Sequence, residues 1–117
     1  MQIKESIVTI LSELKILYPS LVIYQNRPEN LMGENGLEAP IITYEIANNI
    51  LNACLDKTAG KQDTEITIDI WTNSSEEGEI LLEKLEETMR ENNWLITFSM
   101  DIPDPDGICH INSRFTY

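Results

Sequence analysis

The residues able to do chemistry are few and scattered. The single histidine, His110, stands in the alternating run CHINSRF, on the side opposite Phe115. A general base needs a nucleophile or a substrate proton within reach, and no Ser or Cys nucleophile motif flanks it. It therefore reads as a surface or ring-stacking residue. None of GxSxG, HExxH, GxGxxG or GxxxxGK[ST] occurs. Asp101, Asp104, Asp106 and Gly107 are spaced like the start of a calcium loop, which a bidentate Glu closes at about the twelfth position. Counting from Asp104, that position is Phe115. Pro105 stiffens the segment, which reads as a solvated hairpin turn. The run EEGEILLEKLEE reads as a solvated helix face, and no aromatic sugar platform accompanies it. The expectation is no enzyme, no cofactor and no metal.

Twenty acidic residues against eight basic ones leave a net charge of −12. That is the wrong sign for gripping nucleic acid or an anionic membrane. The imbalance is uneven: residues 1–60 carry −3 and residues 61–117 carry −9. No run approaches the roughly 18 apolar residues of a membrane span. Lys4, Glu5 and Glu13 interrupt the N-terminal apolar pattern, which is wrong for a secretion signal. Cys54 and Cys109 have neither CxxC nor metal spacing and read as reduced cytosolic thiols. At 117 residues the chain holds one domain, 1–117, large enough to fold without a staple.

Periodicity supplies the elements. In residues 2–17, Ile3, Ile7, Ile10, Leu14 and Leu17 recur at steps of four and three, a helical stripe widened by Val8 and Leu11 and stopped at Pro19. Leu21–Tyr24 fits a short strand. Residues 25–39 have no period and form a long loop, of a kind often functional or mobile. IITYEIA puts Ile42, Tyr44 and Ile46 on one face. EITIDIWT alternates Ile66, Ile68 and Ile70 with Thr67, Asp69 and Trp71. Ser74 with Glu77 makes a capping-box start for a helix lined by Leu81, Leu82, Leu85 and Met89 and ended by Asn92-Asn93. Trp94, Ile96, Phe98 and Met100 then alternate as a strand. After the turn at 102–107, a last strand over 108–117 puts Cys109, Ile111, Ser113, Phe115 and Tyr117 on one face.

The expected fold class is α+β in the order α-β-β-β-α-β-β. A mostly antiparallel sheet carries two helices on one face, and a long β-hairpin over 48–64 projects beyond it. Trp71 falls on the polar register of its strand. Ile50, Leu51, Cys54 and Leu55 lie on the hairpin arm, farther out than a small sheet covers. Large apolar groups off the core face suit a partner surface, or else a second small cluster under the loop 25–39. Leu51, Leu55, Lys57, Lys61 and Trp71 are the candidate interface residues.

The segments PIITYEIAN, EITIDIWTNSSEEGEILLEKLEETM and NWLITFSMDIPDPDGICHINSRFTY resemble the tail terminator, or tail-completion, proteins of long-tailed phages and prophages of Gram-positive bacteria. In that family a "P-x-I-x-Y" strand, here Pro40, Ile42 and Tyr44, follows a short helix. An "I-x-I-D-I-W" strand, here Ile66–Trp71, runs into a Ser-capped helix at Ser74 or Ser75. A closing strand carries Gly107, Ile108, His110, Arg114 and Phe115. The likeness runs through 1–117 in order and length. It implies a non-catalytic virion protein at the head-proximal end of the tail, in the host cytoplasm before assembly. Its partners would be its own copies in a hexameric ring, the major tail tube protein and a head-completion or connector protein. DNA would pass through the lumen without specific binding, and no membrane is involved. An acidic lumen would repel phosphate. Two rival readings are a connector-docking protein of the head–tail junction and an acidic DNA mimic that inhibits a nuclease. The second has the net charge behind it, but the acids cluster on one helix and one turn, interspersed with Lys84, Arg90 and Arg114.

Overall fold

The computed structural model describes residues 3–26, 40–48, 64–102 and 108–116. These form helix α1 (Ile3–Leu17), strands β1 (Val22–Gln25), β2 (Ile41–Asn48) and β3 (Thr64–Thr72), helix α2 (Ser75–Glu91), and strands β4 (Leu95–Ile102) and β5 (Cys109–Thr116). The fold is α+β in the expected order, a single domain. Its five-stranded sheet runs β1-β2-β3-β5-β4. β1 lies parallel to β2, and every other neighbouring pair is antiparallel. A parallel pair cannot be joined by a tight turn. That is the physical reason for the long connection between Gln25 and Ile41. The expected hairpin arm over 48–64 lies mostly outside the described residues.

Both helices pack on one face of the sheet. Ile7, Ile10, Leu11 and Leu14 of α1 and Leu81, Leu85 and Met89 of α2 share one core with Ile42, Tyr44, Ile66, Ile68, Ile70, Ile111 and Phe115. Each such side chain contributes roughly 1.5–3 kcal/mol on leaving water. Val8 and Leu17, assigned to the buried stripe by spacing, are exposed instead, so the buried stripe of α1 is narrow. α1 closes with Tyr18 N–H on the Leu14 carbonyl, and Pro19 cannot continue it.

Both ends of α2 are built by side chains the sequence advertises. The Ser74 Oγ accepts from Glu77 N–H at 3.2 Å, satisfying one of the free donors of the first turn. At the other end Asn93 adopts a left-handed φ of 69°. Its N–H reaches the Arg90 carbonyl, and Trp94 N–H reaches back to Met89. This is a Schellman ending, with Asn where Gly is commoner. It also delivers Trp94 into the main core beside Met89. The helix lies close on the sheet at Gly78. A Cβ there would stand 3.1 Å from Cys109 Sγ and Thr72 Oγ1, and 3.2 Å from Ile111 Cδ1.

One strand departs from its pattern. Simple alternation puts Ile96, Phe98 and Met100 on one face, but β4 changes register against β5 between Ile96 and Phe98. Ile96 pairs with the core residue Phe115, whereas Phe98 pairs with Arg114 and Met100 with Asn112. Thr97 is the extra residue of a β-bulge, and its hydroxyl donates to the Arg114 carbonyl at 3.2 Å. Past the bulge, Ser99 and Asp101 take the helix-side positions. Ser99 Oγ lies 3.4 Å from the buried Ser113 Oγ. Phe98 and Met100 are thereby carried to the outer face.

Candidate interaction surface

The outer face of the sheet, away from the helices, is ordered in rows across the strands. One row is Ile41, Trp71, His110 and Ile102, and the next is Thr43, Asp69, Asn112 and Met100. A third runs Glu45, Thr67, Arg114 and Phe98. At the β2–β3 end this face is closed. Trp71 stands on it as its register requires, yet it is only 5% exposed, packed with Ile41, Ile108 and Val22 in a second small cluster. Trp71 is therefore a cluster residue of its own domain and not a group left open to a partner. Leu51, Leu55, Lys57 and Lys61 lie outside the described residues, as do Asp104 and Asp106.

His110 stacks on Trp71 with ring centroids 3.5 Å apart and planes 14° from parallel. Its Nε2 lies 2.8 Å from Asp69 Oδ1, and Asn112 Nδ2 donates to that same oxygen at 2.8 Å. A carboxylate can only accept, so the bond places a hydrogen on Nε2. Asp69 and His110 lie 41 residues apart. Only the β3–β5 register makes them neighbours, and the sequence reading of His110 did not include the carboxylate. The available signal was Asp69 on the polar register of β3 and His110 with Asn112 on the polar register of β5. The cluster fixes the position of an imidazole ring, one edge on Asp69 and one face on the indole. Such a constellation locks two strands in register. Among the described residues no three His, Cys, Asp or Glu side chains gather into a metal-holding group.

The opposite end of the outer face is open. Among the described residues β4 is one of the two edge strands of the sheet, and Leu95, Phe98 and Met100 are 66%, 40% and 47% exposed along it. Arg114 lies over the Phe98 ring, 5.2 Å from its centroid, a cation–π contact that holds the ring against the sheet. The only charged side chain on β4 is Asp101, on the other side of the strand. Among the described residues this long edge, apolar on its outer face, offers unpaired backbone donors and acceptors together with hydrophobic surface. Cys109 is a free, half-buried thiol under α2. No helix among the described residues is long and apolar enough to cross a membrane. No family model and no curated protein matches the chain.

Proposed function

We propose that the chain is a structural protein of a phage tail. Its copies close into a ring, hexameric by the resemblance, that caps the tail tube, halts its polymerisation and joins it to the head connector. The observation that carries this reading is the pair of sheet edges. Within the described residues β1 and β4 each lack an outer neighbour, and the strand order makes them run in opposite senses. β4 of one copy can thus join β1 of the next as an antiparallel pair, with the helices of every copy on the same side of the sheet. Such a head-to-tail contact generates a ring when its rotation closes. The apolar side chains of β4 that meet β1 supply part of the surface that such a contact buries.

The test is assembly. Purified protein added to extracts that lack it should convert overlong headless tails into tails of set length that join heads, counted by electron microscopy. Tails that stay overlong and headless at saturating protein overturn the reading.

A further inference from the structure

We infer that the free protein closes its β4 edge with β4 of a second copy, about a twofold axis normal to the sheet that passes midway between the two Met100 residues. The inference rests on the edge alone and does not need the ring reading. The regular part of β4 beyond the bulge is Phe98–Ile102, and Met100 is its centre. Antiparallel pairing about that centre puts Met100 against Met100 of the second copy, and Phe98 against Ile102 of the second copy. All of these lie on the outer face, so apolar meets apolar throughout. On the helix side, Ser99 meets Asp101 of the second copy, a hydroxyl donor against a carboxylate acceptor, and the two Asp101 carboxylates do not face each other.

The alternative occupant fits less well. β1 is four residues long against eight in β4, and it offers only Val22 and Tyr24 to the outer face. It would leave much of the apolar edge uncovered. Charge points the same way. Copies at −12 repel wherever their acidic surfaces approach, and β4, with a single carboxylate, is a place where two can meet. The dimer would cover an edge that otherwise invites uncontrolled pairing. If the same edge serves a ring, the dimer must open before a subunit joins the tail.

The experiment uses the purified full chain without tails. Light scattering should give twice the chain mass, and raising salt from about 50 to 500 mM should tighten the dimer several-fold by screening the like charges. Met100→Glu should give the monomer mass with an unchanged far-ultraviolet spectrum, and Phe98→Glu is the second variant should the first disturb folding. Met100→Cys should crosslink to itself on mild oxidation, well above the parent chain, which carries only Cys54 and Cys109. Glu65→Cys, on the outer face but off the edge, should not. A monomeric parent chain overturns the inference. So does an oligomer in which Met100→Cys crosslinks to a Tyr24→Cys chain but not to itself, an outcome that would leave the head-to-tail ring contact intact.

Discussion

Asp69 and His110 sit on adjacent strands with Nε2 of the imidazole 2.8 Å from Oδ1 of the carboxylate, and that oxygen also receives Nδ2 of Asn112. One acceptor thus serves two donors on β5, and the imidazole is held edge-on by Asp69 while its face lies on Trp71. Removing the acceptor leaves two partly buried donors without it.

Asp69→Ala should accordingly lower unfolding free energy by about 1–3 kcal/mol, the range for stranding buried donors. Asp69→Asn keeps an oxygen in place and should cost less than half as much. Urea denaturation of the two variants checks this. Equal losses would mean that the carboxylate matters for its charge and not as a shared acceptor.

The N-terminus of α2 depends on one hydroxyl. Ser74→Ala removes the acceptor for Glu77 N–H and should cost about 1 kcal/mol, whereas Ser74→Asp should stay within a few tenths of the parent. Thermal unfolding followed at 222 nm reads both. A harmless Ser74→Ala would mean that water caps this exposed turn equally well.

Gly78 tests how tightly α2 lies on β3 and β5. In an open helix Gly→Ala gains about 1 kcal/mol. Here the new methyl would crowd Cys109 Sγ, Thr72 Oγ1 and Ile111 Cδ1 together, and Thr72 is tied by its hydrogen bond to the Ser74 carbonyl. Crowding of a packed site costs about 1–3 kcal/mol, so Gly78→Ala should be destabilising by about 1 kcal/mol net. Cys109→Ala in the same chain should restore part of that loss, a coupling that a double-mutant cycle reads directly. A stabilised Gly78→Ala would show that the helix can lift off the sheet at little cost.

How much of this was legible in the sequence depended on whether a feature is local. The cap at Ser74, the apolar stripe of α2 and the period-two face of Ile66, Ile68 and Ile70 are written in nearest neighbours and simple periods. His110, by contrast, could be read only as a surface or ring-stacking residue until the β3–β5 register set it against Trp71. Trp71 could be assigned its face but not its burial, because Ile41, Ile108 and Val22 come to it from three other segments. The Asp69 cluster needed the β3–β5 register, and β4 needed the bulge. One extra residue at Thr97 changes the facing of everything after it, and a period of two cannot announce that. The parallel placement of β1 was equally hidden, since nothing in four residues specifies the sense of pairing.

The bulge itself gives the last prediction. Deleting Thr97 leaves Leu95, Phe98, Met100 and Ile102 on the outer face and Ile96, Ser99 and Asp101 on the helix side, because the deletion removes the unpaired residue and not an alternating one. The helix-side facing of Ile96 and the Ser99–Ser113 contact can then persist, and stability should change by only about 1 kcal/mol, the scale of the lost Thr97 hydrogen bond. The edge, however, becomes straight over its whole length. Bulges twist edge strands away from intermolecular pairing, so the deletion should lengthen the segment available to a second strand. The expected result is a folded protein that associates at lower concentration than the parent and sediments as larger species at high salt, read by analytical ultracentrifugation. A deletion variant that unfolds would show that the bulge is needed to keep β4 in register on β5. A variant as soluble and as weakly associating as the parent would show that it is not the bulge that keeps this edge in check.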